Sequence, residues 1–110
     1  MKLLVMILNK VELMNDLLSV IVEAGITKAT ILDSEGLGQH LAYEVPIFAG
    51  LRKLVGESKS YNKTILALVD DDTVLMDLKK LLKQTDMDFS KDGMGIIFSV
   101  SVDSAIDLDK

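Results

Sequence analysis

The stretch Lys2-Leu3-Leu4-Val5-Met6-Ile7-Leu8, bounded by Asn9-Lys10, decides the fold. It is short and apolar at both odd and even positions, which marks a central strand covered on both faces. From Val11 to Ala24 the apolar residues Leu13, Met14, Leu17, Leu18, Ile21 and Ala24 recur at helical spacing, with Glu12, Asn15, Asp16, Ser19 and Glu23 opposite them. Gly25 closes that helix. Thr27 to Asp33 follows as a strand with polar interruptions, as expected of a sheet edge. The order then repeats. Lys63 to Val69 reads as a strand, and Asp70-Asp71-Asp72-Thr73 opens a helix whose stripe is Val74, Leu75, Leu78, Leu81 and Leu82. A last strand, Ile96 to Val102, follows Gly93-Met94-Gly95.

Strand, helix, strand twice over is an α+β, ferredoxin-like βαββαβ arrangement: a four-stranded antiparallel sheet with two helices on one face. The other face is left bare, yet Leu3, Val5 and Ile7 against Leu4, Met6 and Leu8, and Ile65, Ala67 and Val69 against Leu66 and Leu68, are apolar on both faces. Such a surface predicts burial between subunits. A chain of 110 residues supplies one core, so a single domain spanning 1–110 is expected.

Composition removes several function classes. There is no Cys and one His, which leaves no disulfide framework, no thiol nucleophile and no histidine metal cage. The three consecutive aspartates read as a helix cap, since nothing near them completes a calcium loop. Lys and Arg total 12 against 17 Asp and Glu, and the net charge of −5 opposes nucleic-acid binding. The longest apolar run is too short to insert in a membrane and lacks a cleavage site after it, so a cytoplasmic location is expected. No nucleophile, base and orienting acid stand out, and the expectation is that the protein is not an enzyme.

Residues 34–60 are the anomaly, a connection far longer than the usual four to six residues or so. It opens with Ser34-Glu35-Gly36-Leu37-Gly38-Gln39-His40, where Gly36 and Gly38 expose backbone amides without running directly into a helix. Pro46 and Gly56 bracket Ile47, Phe48, Leu51, Leu54 and Val55, which predicts a short amphipathic turn or helix. Its apolar face needs a cover, either its own subunit or a partner protein.

These features in this order resemble the P-II signal-transduction family across essentially the whole chain. The resemblance rests on Ala24-Gly25-Ile26, Gly36-Leu37-Gly38, Val69-Asp70-Asp71-Asp72, Gly93-Met94-Gly95-Ile96-Ile97-Phe98 and Val102-Asp103-Ser104-Ala105-Ile106. It implies a homotrimer whose sheets face its centre, adenine nucleotides in the clefts between subunits, and a long loop that docks on transporters or enzymes. It places Thr30 near the adenine and Gly36, Gly38, Gln39, Gly93 and Gly95 along the ligand. It gives the partner-binding loop Tyr43, Ile47, Phe48, Leu51 and Arg52.

The charged side chains of the family site are replaced. Its K-G-x-G-R-Q is here Glu35-Gly36-Leu37-Gly38-Gln39-His40, the Asp and Lys of G-D-G-K are Met94 and Ile96, and two arginines align with Asp107 and Asp109. Each lost charge-assisted hydrogen bond is worth about 1.5–3 kcal/mol, so three would weaken binding by roughly three to six powers of ten. Tight ATP binding is not expected, and the ligand is an adenine nucleotide with few phosphates or something different. No tyrosine clearly matches the family's modified loop tyrosine, Tyr43 and Tyr61 lying near the loop's ends. The alternatives are a ligand-free interaction adaptor, a CutA-like trimer with a metal role, or a small enzyme using the trimer cleft.

Overall fold

In a computed structural model, which describes residues 1–52, 61–91 and 93–106, the expected frame is present. The strands are β1 (Lys2–Leu8), β2 (Ala29–Glu35), β3 (Tyr61–Val69) and β4 (Gly95–Ser101). They form one antiparallel sheet in the order β2-β3-β1-β4, with Leu4 opposite Ala67 and Ser99, and Thr30 opposite Leu66. The first strand is central and the second lies at an edge, as its apolar and mixed patterns require.

Alternation along the strands divides the sheet. Leu4, Met6 and Leu8 of β1, with Ile65, Ala67 and Val69 of β3, are buried under helix α1 (Met14–Glu23) and helix α3 (Asp72–Gln84). Leu17, Val20 and Ile21 from α1 and Leu78 and Leu82 from α3 complete that core. The opposite face carries Leu3, Val5, Ile7, Leu66, Leu68, Ile96, Phe98 and Val100, of which the last four are exposed. The apolar periodicity expected to continue from Val11 begins with a 3-10 turn, Val11–Leu13, before α1 proper.

Both helices end in the same motif. After α1, Ile26 N–H reaches Ile21 O at 3.1 Å and Gly25 N–H reaches Val22 O at 3.0 Å, with Gly25 at φ +91°. After α3, Met87 N–H reaches Leu82 O at 3.1 Å around Asp86 at φ +59°. These are Schellman closures, each planting a buried apolar residue, Ile26 or Met87, beyond the turn. Glycine takes the left-handed position freely in the first; an aspartate holds it in the second at a steric cost. Asp86→Gly is therefore expected to stabilise the fold by up to about 1 kcal/mol in a urea melt, and Gly25→Ala to destabilise it by about as much.

The largest departure from expectation lies between β2 and β3. Residues 37–44 form helix α2 (Leu37–Glu44), where an irregular loop was expected, and Pro46–Leu51 follows as a 3-10 helix with Pro46 in its first turn. Two turns of helix offer too short an apolar repeat to be read from sequence, and the glycines mask it. Gly36 is the N-cap residue of α2, so the glycine pair does run straight into a helix. Leu54, Val55, Gly56 and Lys59 lie outside the described residues.

Candidate functional site

The end of β2 is where the candidate ligand residues begin. Gly36 has an extended conformation, φ −73° and ψ 143°, and its carbonyl accepts from His40 N–H at 2.9 Å, closing the first turn of α2. No side chain caps this end of the helix. Gln39 folds back over Gly36, its Oε1 standing where a Cβ at position 36 would meet it at 2.6 Å. Gly36, Gly38 and Gln39 are thus brought together at one helix start. Beside them Glu35 pairs with His40 through Oε1 and Nδ1, placing a carboxylate at the end of the helix where backbone amides favour an anion.

Beneath that helix start runs a polar network. Ser34 Oγ lies 2.6 Å from Asn62 Oδ1 and 2.7 Å from Thr64 Oγ1, and Asn62 Nδ2 donates to Asn9 Oδ1 at 3.2 Å. These residues sit on the bare side of the sheet. They tie β2, β3 and the end of β1 together below α2.

Gly93 and Gly95 lie across the sheet, at the β4 edge. Met94 between them is buried in the core, and its carbonyl accepts from Asn9 N–H at 2.9 Å. A Cβ on Gly95 would stand 1.9 Å from Ile7 O. This glycine therefore answers a demand of the fold itself, the close passage of β4 against β1. Thr30 is far from both groups, near the start of β2, where it lines a cleft of about 770 Å³ with Gly25, Thr27, Lys28, Leu66, Asp70 and Ala105. No reading of the sequence assembles that cleft, because its walls come from four separated segments.

The loop residues form a unit of their own. Arg52 Nε donates to Ala42 O at 2.9 Å, and its guanidinium lies 4.9 Å from the centre of the Tyr43 ring. That clasp folds the 3-10 helix against α2. Leu51 is half-buried, whereas Ile47 is 83% exposed and Phe48 41% exposed, with Leu37 of α2 also exposed. Tyr43 and Arg52 thus hold the unit, and Ile47 and Phe48 are its presented surface.

Among the described residues, the carboxylates with displaced pKa values are structural: Asp71 caps α3 and Asp88 braces the turn at 88–90. Asp71 accepts from Thr73 Oγ1 and from Thr73 N–H at 2.9 Å, and both bonds hold its carboxyl below the usual range. Asp88 is lowered in the same way by Ser90, with Lys91 and Lys83 adding to it. A folded pKa below the unfolded one contributes stability at neutral pH that is lost as pH falls through the folded value. Stability is expected to hold down to about pH 4 and fall below it, and the double change Asp71→Asn and Asp88→Asn should flatten that acid limb in melts taken across pH. Among the described residues no cluster of three or more His, Asp or Glu side chains could hold a metal ion.

The model of the family described as nitrogen regulatory protein P-II matches residues 1–109. The chain belongs to the P-II family. P-II proteins are regulatory and in general not enzymes, and the four-stranded antiparallel sheet with its helices has their ferredoxin-like fold. Among solved structures, the crystal structure of Arabidopsis thaliana PII bound to citrate matches with a TM-score of 0.63 and 16% sequence identity, covering 98% of this chain and 82% of that one. No match was found among curated proteins. No helix among the described residues is long and apolar enough to cross a membrane.

Proposed function

We propose that this P-II protein is a cytoplasmic, non-enzymatic regulator that assembles as a homotrimer, senses an adenine nucleotide with few phosphates between subunits, and acts on a partner protein through residues 34–60. The observation that carries the reading is the separation of the candidate ligand residues. Gly36, Gly38 and Gln39 lie at one edge of the sheet and Gly93 and Gly95 at the other, with Thr30 near the opposite end of β2. Three strand spacings of about 4.8 Å separate the edges, so one small ligand reaches these groups together only where subunits meet. The exposed apolar sheet face supplies the reason for subunits to meet.

Phosphate count follows from charge. The Glu35 carboxylate beside the start of α2 repels a triphosphate more strongly than a mono- or diphosphate. The surface formed by Ile47 and Phe48 is the docking element, held in shape by the Tyr43 and Arg52 clasp. The burial of Met94 and the packing of Gly95 favour a second reading, a ligand-free adaptor, because both tie the Gly93–Gly95 turn to the fold.

A thermal-shift panel with AMP, ADP, ATP, cyclic AMP and divalent cations separates the two. A ligand at one hundred times its Kd stabilises the native state by about 2.7 kcal/mol. The expected result is a raised melting temperature with AMP, ADP or cyclic AMP and none with ATP, abolished by Gly38→Trp. Silence across the panel with a cooperative melt would favour the adaptor.

A further inference from the structure

On the helix-covered side of the sheet, away from the bare face and from every residue discussed above as a ligand contact, α3, the turn after it and β4 line a groove of about 620 Å³. We infer that this groove binds a small amphiphile with an apolar body and a single negative charge, of the class of medium-chain carboxylates. Its floor and walls are Leu75, Leu78 and Leu82 of α3, Phe89 of the turn that follows, and Ile97 of β4. Leu78 and Leu82 belong to the core, whereas Leu75, Phe89 and Ile97 are only partly buried and pack against it. The volume falls in the range of small-molecule sites, and the lining is the apolar kind that accepts a hydrocarbon chain.

The rim sets the charge. Lys79 and Lys83 stand four residues apart on α3, on the face that Leu75 and Leu82 also occupy, and Lys91 faces them from the turn. Asp86 and Asp88 share the mouth. Asp88 is engaged by its own turn, accepting from Ser90 N–H at 2.9 Å and Ser90 Oγ at 2.5 Å, and Asp86 occupies the left-handed position of the helix closure. Among the described residues, three cations against two anions leave the mouth one unit positive on a chain of net charge −5. An anionic head is therefore drawn here, and the lysine stems extend the apolar wall below it.

Titration with decanoate, decanol and decylammonium below their micelle concentrations, followed by NMR of the isotope-labelled protein, tests the assignment. Decanoate should shift Leu75, Leu82 and Ile97 saturably and bind at least tenfold more tightly than decylammonium. In the double variant Lys79→Glu and Lys83→Glu, both residues being exposed at the groove rim, that preference should reverse. Absence of saturable shifts would overturn the inference, as would equal affinity for the three probes. Shifts confined to Leu68 and Phe98 would also overturn it, since they would show adsorption to the bare sheet face.

Discussion

Gly95→Ala is expected to destabilise the protein by about 3 kcal/mol or more, a fall of roughly 10–20 °C in melting temperature for a chain of this size. Gly95 has φ +139°, a region that a side chain rarely adopts. The added Cβ would also stand 1.9 Å from Ile7 O, 3.0 Å from Ile7 C and 3.2 Å from Leu8 Cα. All three are backbone atoms of the central strand, which pairs with β3 on one side and β4 on the other, so they cannot retreat without opening a ladder. Gly93 provides the comparison. Its φ is +84°, but a Cβ there meets nothing within 4 Å, so Gly93→Ala carries the conformational cost alone, about 1–2 kcal/mol. Urea melts of the two variants beside the parent measure the difference. A Gly95→Ala protein within about 1 kcal/mol of the parent would return Gly95 to the role of a ligand cradle only.

That contrast shows what the sequence did and did not reveal. The two strand, helix, strand halves were legible because Leu3 to Leu8 of β1 and Ile65 to Val69 of β3 are continuous apolar runs and the helices show long stripes, patterns that survive without tertiary context. The edge position of β2 was legible from its polar interruptions, although its boundaries moved from Thr27–Asp33 to Ala29–Glu35. Helix α2 was hidden because only Ala42 of its eight residues is buried, so its sequence carries little apolar signal. The pairing of Glu35 with His40 depends on that helix, which brings position 40 back over the end of β2. The placement of the glycines was also beyond reach: Gly36 and Gly95 read alike in sequence, yet one caps a helix and the other lets two backbones pass. Asp107 and Asp109 lie outside the described residues.

Phe98→Glu is expected to convert the proposed trimer of three 12.1 kDa chains into a monomer in sedimentation velocity at micromolar concentration. The bare face carries nine large apolar side chains, Leu32 of β2 joining Leu66 and Leu68, Leu3, Val5 and Ile7, and Ile96, Phe98 and Val100. Leu32, Leu68, Ile96, Phe98 and Val100 are 40–52% exposed and the other four are part-buried, so covering each is worth about 1 kcal/mol or less and the face holds on the order of 5–10 kcal/mol of gross driving force, before the cost of association. Phe98 lies opposite Val5, midway along the edge strand β4, where a buried carboxylate would have to be stripped of water with no cation among the described residues of the face to meet it. Its exposure of 40% in the single chain means that the same change costs the isolated fold far less than it costs the assembly. Met76→Glu is the control, since Met76 is 60% exposed on α3, on the other side of the sheet. It should leave sedimentation unchanged. A parent protein that sediments as a monodisperse monomer, or a Phe98→Glu variant that stays assembled, would remove the sheet face as the subunit contact and with it the intersubunit ligand site, because Gly36 and Gly95 would then have nothing to bring them together.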